Sequence, residues 1–189
     1  MNTKAPLVLA SKSPRRHQLL ADAGFEFEIV GRDVEEIIYD DIHPRAVAVM
    51  ISENKAKAYD DLCGDNIVIT ADTIVTIKDK VLGKPADLKE ATRMLKMLSG
   101  KSHHVITGVT LFHKGRFRSF SDETKVTFRD LRDSEIDYYV ENYRPLDKAG
   151  AYGIQEWIGM VGVDHIEGDF YNVMGLPLGK LYLELMQME

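Results

Sequence analysis

The fold of this chain is decided by its N-terminal stretch, which reads Pro6-Leu-Val-Leu-Ala10 and then Ser11-Lys-Ser-Pro-Arg-Arg16. The first part is a short apolar run, and it predicts a buried strand. Ser13 is a favourable N-cap, Pro14 suits the first helical position, and Gly24 suits the residue after the helix end. The run after Gly24 alternates apolar with polar residues, which is typical of a half-exposed strand. The stretch therefore predicts strand, turn, helix and strand.

The rest of the chain alternates helical with extended patterns. Helices are predicted over four segments, namely 45–59, 88–98, 133–142 and the residues after Pro177. A buried strand is predicted over 66–72, ending on Asp72, and antiparallel strands are predicted over 104–128, with a break at Lys114-Gly115. Early strands separated by helices, followed by a strand-rich portion, favour an α/β fold with a mixed sheet.

Length and composition narrow the class of protein. A chain of 189 residues predicts a single domain over 1–189, with room for two lobes. Apolar residues at 44% and charged residues at 29% are typical of globular proteins. No apolar run approaches the roughly 20 residues that cross a bilayer, and no signal peptide precedes the first strand, so we expect a cytoplasmic protein. The net charge of −6 argues against a nucleic-acid coat protein, so any polyanion must meet a local basic site.

Two arginines begin the first predicted helix, where natural helices usually carry acids. Because this end of the helix macrodipole is positive, Arg15 and Arg16 each oppose it by roughly 0.3–1 kcal/mol. The same features suit an anion, since backbone N–H groups, the dipole and two guanidinium groups can all meet phosphate oxygens. Ser11 and Ser13 add hydroxyl donors. From spacing alone, a phosphate-binding helix start and a solvated basic helix start both remain open.

Asp72 is the second candidate, because it follows the apolar run 67–71. In α/β sheets the carboxyl ends of strands face the ligand crevice, where an acid can hold a divalent metal or accept a proton from water. An acid that caps a turn is the alternative interpretation.

Three other polar residues accompany these candidates. Lys55, taken alone, indicates a solvated helix face. Lys84 lies in Gly83-Lys-Pro85, which places a cation on a rigid loop. Gln155 ends the segment 148–155, and its amide can both donate and accept hydrogen bonds, as reading a base edge requires. As a bare pattern that segment is an ordinary loop.

Three other features of the sequence do not indicate a functional site. Gly100-Lys-Ser102 looks like the end of a Walker A loop, but it lacks the earlier glycine and follows a helix instead of opening one. The six histidines have no metal-ligand spacing and are predicted to be surface or strand residues. The single cysteine, Cys63, is predicted to be a small filler near a helix end.

Seven segments, in this order, resemble the Maf family of nucleotide pyrophosphatases, and they span almost the whole chain. They are Leu9–Arg16, Lys55-Ala56, Ala71–Val75, Gly83–Pro85, Thr107–Val109, Asp147–Gln155 and Gly175–Pro177. The resemblance implies an elongated mixed sheet flanked by helices, with two lobes and a cleft, similar to inosine triphosphate pyrophosphatases. It also implies a homodimer that hydrolyses a nucleoside triphosphate to the monophosphate and pyrophosphate with a divalent metal, Mg²⁺ or Mn²⁺.

The resemblance also assigns roles to residues. It implies that Asp72 is the catalytic acid and that Glu35 is a further acid, so both are expected to hold the metal; Asp33 or Glu36 are alternatives to Glu35. It implies a phosphate-binding set of Ser11, Arg15, Arg16, Lys55 and Lys84, to which the helix start adds Ser13. It links substrate choice to Arg15, Thr73 and Gln155.

The form of the segment 147–155 resembles the subgroup that acts on dTTP and UTP, including modified uridine triphosphates, rather than the subgroup that prefers 7-methyl-GTP. The Glu156-Trp157 that follows is bulkier and more acidic than the family's glycine-rich continuation. The hypothesis is that Asp72, as metal ligand or as general base, directs a water to the α–β phosphate linkage while the cations neutralise the leaving pyrophosphate.

Two rival functions follow from the same residues. A nucleotide-binding regulator of septum formation and cell division would use the same pocket without significant turnover. A nucleic-acid binder led by the basic first helix would show steep salt dependence, and the acidic balance argues against it. We therefore expect a nucleoside triphosphate substrate, with no nucleic-acid partner and no membrane.

Overall fold

A computed structural model describes residues 3–34, 42–78 and 80–188. The strands are β1 (Leu7–Leu9), β2 (Phe27–Ile29), β3 (Ile67–Ile77), β4 (Lys80–Leu82), β5 (Ser102–His113), β6 (Arg116–Phe128) and β7 (Val163–Glu167). The helices are α1 (Pro14–Asp22), α2 (Pro44–Lys57), α3 (Leu88–Leu98), α4 (Asp133–Tyr143), α5 (Trp157–Gly162), α6 (Phe170–Met174) and α7 (Leu178–Met186), with a 3₁₀ turn at Ala149–Ala151.

Strand pairing makes a seven-stranded sheet in the order β2-β1-β3-β5-β6-β7, with β4 beside β3. β1 is parallel to β2 and to β3, whereas β4 is antiparallel to β3 and β7 is antiparallel to β6. β5 and β6 are neighbours joined by the two-residue turn Lys114-Gly115, so the predicted antiparallel strands form a hairpin. The predicted α/β fold, with a mixed sheet flanked by helices, is confirmed.

The first helix forms as its sequence predicts. Ser13 is the extended N-cap residue, Pro14 opens α1, and Gly24 follows the helix end with φ +78°. Leu19 and Leu20 are buried on its inner face, and each stabilises the fold by about 1.5–3 kcal/mol.

The helix after Asp87 also keeps its predicted start. The Asp87 carboxylate accepts a hydrogen bond from Glu90 N at 2.7 Å, which caps α3. The Glu90 carboxylate reaches back one residue further than expected, to Ala86 N at 2.8 Å. The backbone N–H groups of Glu90 and Ala86 are therefore both satisfied by side chains.

One strand differs from its predicted bounds. β3 continues past Asp72 to Ile77, so Asp72 lies within the strand. The reason is that 73–77 is again rich in β-branched residues, and its end pairs with β4 through Val75 and Leu82. The prediction that the strand ends on Asp72 is wrong, and so is the alternative that Asp72 caps a turn. The pairing of β3 with β1 does stop at Ile69, so Asp72 lies beyond the last β1 pair.

The chain forms two compact units. The first comprises Met1–Asp72, Thr107–Asp122 and Gly175–Glu189, and the second comprises Thr73–Ile106 and Glu123–Met174. A core in the first unit is formed by Val8, Ala10, Ala56, Tyr59, Cys63, Val68 and Phe112. The core of the second unit includes Val75, Leu95, Leu98, Val105, Phe128, Ile136, Tyr139 and Tyr152. Cys63 is the buried filler that its lone occurrence predicts.

Candidate active site

A buried ion pair is the centre of the candidate site in the first unit. Asp72 is 6% exposed, and its Oδ1 accepts a hydrogen bond from Lys55 Nζ at 2.6 Å. A charge-assisted hydrogen bond of this kind is stronger than a neutral one. Within the part of the chain that the structure describes, Lys55 is the one side chain that donates to this carboxylate. The structure therefore places a predicted phosphate-binding lysine directly on the predicted catalytic acid.

A buried network of hydroxyl groups positions Lys55 against Asp72. Thr70 Oγ1 donates to the Ser52 carbonyl oxygen at 2.7 Å, and Ser52 Oγ lies 2.7 Å from Thr110 Oγ1. Lys55 is three residues after Ser52 on α2, and Asp72 is two residues after Thr70 on β3. Both steps keep a side chain on the same face of its element. The network that docks α2 on the sheet thereby brings Lys55 to Asp72.

Gly108 on β5 lets α2 approach the sheet closely enough for this contact. A Cβ atom at Gly108 would lie 2.3 Å from the Ala48 carbonyl carbon and oxygen, which real Cβ atoms do not tolerate. Only glycine therefore fits at this position. The Thr107–Val109 segment of the family resemblance has a structural reason, which is to seat the helix that carries Lys55.

The start of α1 has the features of an anion-binding site. Ser11 is buried, and its Oγ accepts a hydrogen bond from Ser13 N at 3.1 Å. Ser13 makes no side-chain capping bond, and the first turn of α1 contains no acid. His17 Nε2 lies 2.7 Å from the Ser11 carbonyl oxygen and holds the turn from the other side. The helix start thus keeps the positive end of its dipole uncompensated by its own acids.

Arg16 ties this helix start to the strand that carries Asp72. Its Nη1 donates to the Ala71 carbonyl oxygen at 2.9 Å, and its Nε donates to the Gly175 carbonyl oxygen at 2.8 Å. Arg15, the other predicted phosphate ligand, is half-buried in the first turn. The structure therefore brings together Ser11, Ser13, Arg15 and Arg16 on one helix start, and it links that start to the residue before Asp72.

The additional acid of the predicted site is described only in part. Glu35 and Glu36 lie outside the described residues. Asp33, the remaining alternative, is 97% exposed and accepts a hydrogen bond from Lys12 Nζ at 2.5 Å. Asp33 is thus placed beside the α1 start by a solvent-exposed ion pair, which contributes little stability.

The other predicted site residues belong to the second unit. Thr73 directly follows Asp72 in β3, and because side chains alternate along a strand, it points to the opposite face. Lys84 is exposed on the loop after β4. The carbonyl of the preceding Gly83 accepts a hydrogen bond from Gly150 N at 3.0 Å, so this loop is joined to the segment that ends on Gln155.

Gln155 lies in a tight turn from Gly153 to Glu156, which is closed by a hydrogen bond from Glu156 N to the Gly153 carbonyl oxygen at 3.0 Å. The Glu156 side chain folds back over this turn and meets two buried residues, Tyr139 and Lys148. The sequence patterns did not single out Tyr139 or Glu156 as site residues. No motif joins them, because they are 17 residues apart and meet only in the folded chain.

The comparison with known families decides the family of this chain. A family model described as Maf-like protein matches residues 6–188. The chain belongs to this family. The match covers the α1 start, Lys55, Asp72 and Gln155, so the resemblance carried by the seven short segments is confirmed.

Named relatives of this Maf-like chain are similar to it over most of their length. A dTTP/UTP pyrophosphatase of Porphyromonas gingivalis is 47% identical over 186 residues, which are 96% of this chain and 94% of that protein. Proteins of the same name from Cytophaga hutchinsonii and Parabacteroides distasonis are each 50% identical, over 182 and 184 residues. These matches cover 96% of this chain in both cases and 84% and 95% of the relatives.

A HAM1 protein from Coxiella burnetii is a more distant match among solved structures. It is 16% identical, its TM-score is 0.45, and the match covers 66% of this chain and 73% of that chain. In the described ranges of this Maf-like chain, no helix has the length and apolar character needed to span a membrane.

The donor set of the Maf-like site can be tested against the metal that the resemblance implies. Among the described residues, no three histidine, cysteine or acidic side chains come together as a metal-binding group. Mg²⁺ does not require such a cage, because it is commonly held by one or two carboxylates together with substrate phosphates and waters. The buried Asp72 carboxylate, which Arg16 links through Ala71 to the start of α1, fits this second kind of site.

Proposed function

We propose that this Maf-like protein hydrolyses dTTP and UTP, including modified uridine triphosphates, to the nucleoside monophosphate and pyrophosphate, and so removes unwanted nucleotides. The observation that carries the proposal is the link made by Arg16, which joins the anion-binding start of α1 to the backbone beside Asp72. A triphosphate held by that helix start would therefore lie near a buried carboxylate. The names of the Maf-like relatives support the nucleotide class.

In this proposal the residues of the first unit bind the triphosphate and place a water. Ser11, Ser13, Arg15 and Arg16 offer hydroxyl, backbone and guanidinium donors to phosphate oxygens. The proposed phosphate ligand of the second unit is Lys84. Each cation stabilises the negative charge that builds on the leaving pyrophosphate.

Asp72 is the proposed catalytic residue. The water oxygen bonds to the α-phosphorus, the bond from that phosphorus to the α–β bridging oxygen breaks, and its electron pair leaves with pyrophosphate. As a general base, Asp72 would take the proton of the attacking water. Lys55 holds the carboxylate in one orientation through its 2.6 Å hydrogen bond, so the base needs little reorganisation during the reaction.

A divalent Mg²⁺ or Mn²⁺ is part of the proposal. In the alternative role for Asp72, its carboxylate would hold the ion together with substrate oxygens instead of acting as the base, and Glu35 is the second proposed ligand. Such an ion supplies charge neutralisation at the phosphates and a more acidic water.

The remaining expectations also belong to this proposal. Gln155 is the proposed reader of the base, and Arg15 and Thr73 are the other proposed determinants of substrate choice. The protein is proposed to act in the cytoplasm as a homodimer. Sedimentation analysis of the purified chain tests the homodimer, and a single species with the mass of one chain would contradict it.

Chromatography of reaction products tests the function. The protein is incubated with Mg²⁺ or Mn²⁺ and a panel of dTTP, UTP, CTP, GTP and ATP. We expect monophosphate and pyrophosphate in equal amounts, formed fastest from dTTP and UTP. A diphosphate with orthophosphate would contradict the proposed reaction. Tight binding without any product would contradict catalysis and support the regulator instead.

A further inference from the structure

A buried polar cluster closes the turn that carries Gln155. Tyr139 is fully buried on α4, and its hydroxyl donates to Glu156 Oε2 and accepts a hydrogen bond from Gly153 N at 3.0 Å. Lys148 Nζ lies 3.2 Å from Glu156 Oε1 and 2.7 Å from Asp147 Oδ1. Both oxygens of the Glu156 carboxylate are thus engaged by the protein.

These contacts hold the loop at its beginning, middle and end. Lys148 begins the segment, Gly153 lies at the start of the turn and Glu156 ends it, and one carboxylate with one phenol joins all three. A Cβ atom at Gly153 would lie 2.8 Å from Glu156 Cδ and 3.0 Å from Gln155 Nε2. The carboxylate and the Gln155 amide therefore fold over the same glycine, and the position of one constrains the other.

Withdrawing the charges of this cluster from water costs free energy, and this cost argues for a specific role. The side chains of Lys148 and Glu156 are 9% and 20% exposed. For a charge pair withdrawn this far from water, the lost hydration energy is about as large as the attraction between the charges. The pair therefore fixes the conformation more than it adds stability. Burial, and secondarily the bond to Glu156, raises the pKa of Tyr139 far above 10, so its hydroxyl remains a donor at neutral pH.

The Gln155 amide itself depends on the turn for its orientation. Within the described residues, Gln155 Oε1 is shielded from solvent and has no hydrogen-bond partner in the protein. No direct bond to that oxygen therefore distinguishes the two ends of the amide. What holds the amide is its packing over Gly153, beside the Glu156 carboxylate.

Amide orientation determines which pyrimidine an amide can read. Uracil and thymine present a carbonyl acceptor and an N3–H donor on this edge, whereas cytosine presents an amino donor and an unprotonated N3. A glutamine amide that meets the base through its NH2 group matches the carbonyl of uracil or thymine, whereas the same amide rotated by 180° presents its oxygen and matches the amino group of cytosine. Discrimination between the two bases therefore requires an amide that cannot rotate.

We propose that Glu156 is a positioning residue, which with Tyr139 and Lys148 locks the Gln155 turn so that the protein selects uracil and thymine nucleotides over cytosine nucleotides. This inference rests on the proposed function, in which Gln155 meets the base. It also gives a role to Glu156, which lies directly after the family-like segment Asp147–Gln155.

The test compares substrate selectivity in Glu156→Gln and Tyr139→Phe. The first removes the charge and keeps the shape, and the second removes the hydroxyl that joins Glu156 to Gly153. We expect the ratio of kcat/KM for UTP over CTP to fall about tenfold in each, through a gain for CTP as well as a loss for UTP. Matched controls are Glu135→Gln, which breaks an ion pair with Arg129 in the same unit, and Tyr138→Phe on the exposed face of α4.

The outcomes separate this inference from the proposed function. Dissociation constants for UTP and CTP are measured on the same proteins by calorimetry, so a wild type that binds without turnover still reports a selectivity. A wild-type ratio near one would contradict the inference. So would variants that melt at a lower temperature but keep the wild-type ratio within twofold, since that is the behaviour of a merely structural cluster. If Glu156→Gln does not fold, Tyr139→Phe decides.

Discussion

Each unit of this molecule contains a lysine paired with a carboxylate that is at least half-buried, and the two pairs differ in what else the carboxylate contacts. In the first unit Asp72 accepts from Lys55 at 2.6 Å, and within the described residues no second side chain donates to it. In the second unit both oxygens of Glu156 are engaged, by Lys148 and by Tyr139. The Asp72 carboxylate retains acceptor capacity for a ligand or a proton, whereas both oxygens of the Glu156 carboxylate are already bound by protein side chains.

The pairs also differ in what they connect. Lys55 and Asp72 lie on a helix and a strand, and their contact depends on the docking of α2 at Gly108 and Ser52. Lys148 and Glu156 lie at the two ends of one loop. The same kind of ion pair can therefore leave a carboxylate with spare acceptor capacity in one setting and fix a backbone in another, and the remaining partners of the carboxylate decide which.

Removing the lysine of the first pair has the largest expected effect among three tests of this comparison. Lys55→Met leaves the buried Asp72 carboxylate without its donor, and we expect kcat/KM for UTP to fall about 100-fold. The free energy of unfolding should fall by roughly 2 kcal/mol, because a buried charge loses its partner. Steady-state kinetics and urea unfolding measure both. Lys57→Met, at an exposed position of the same helix, is the control and should change neither by much.

The pH dependence of stability at a buried histidine, His103, tests how tightly the second unit packs around the segment 148–155. His103 is fully buried, and its Nε2 lies 2.7 Å from the Tyr152 hydroxyl. Burial, and secondarily the neighbouring His104, lowers the pKa of His103 from 6.5 to about 3. Since the folded state resists protonation, the stability is fully present above the unfolded pKa and is lost as pH falls from 6.5 towards 3.

The measurement is urea unfolding at pH 7 and pH 5. The stability advantage of the wild type over His103→Phe should shrink by about 2 kcal/mol between these pH values, because the variant has no proton to gain there. The control is His165→Phe, which changes an exposed histidine on β7. An advantage that is the same at both pH values would show that His103 is protonated in the folded protein.

The smallest expected effect belongs to Arg16. The Arg16 guanidinium group donates one hydrogen bond to the Ala71 carbonyl oxygen and one to the Gly175 carbonyl oxygen. A lysine at this position cannot reproduce both bonds. Arg16→Lys should lower the free energy of unfolding by about 1–2 kcal/mol. Thermal and urea unfolding measure this loss, with Arg93→Lys, whose side chain is 71% exposed, as the control. A fully stable Arg16→Lys would show that the helix start is held by other contacts.

The sequence predicts local structure here better than it predicts contacts. Ser13 and Asp87 are local signals for the N-cap position, and both helices begin where these residues indicate, although only Asp87 makes a side-chain capping bond. The sheet class follows from the order of strands and helices. The end of β3 was predicted wrongly because Asp72 looks like a boundary residue, although the β-branched residues after it continue the strand.

The sequence marks some residues of the candidate site and not others. Arg15, Arg16 and Asp72 stand out because their charges oppose a helix dipole or interrupt an apolar strand. Lys55 looked like a solvated helix residue, since its contact with Asp72 depends on helix docking 17 residues away. Glu156 was visible only as a departure from a family pattern, and its partners become apparent only when α4 packs against the loop.

The most direct test of the central claim is a comparison of Asp72→Asn with Glu156→Gln, each a loss of one carboxylate charge. UTP turnover is followed by chromatography in the presence of Mg²⁺, and UTP binding is followed by calorimetry. We predict that Asp72→Asn loses turnover about 1000-fold while it still binds UTP, and that Glu156→Gln keeps its turnover within about tenfold. Turnover that survives in Asp72→Asn, or that is lost equally in both variants, would contradict the claim that Asp72 is the catalytic carboxylate and Glu156 the positioning one.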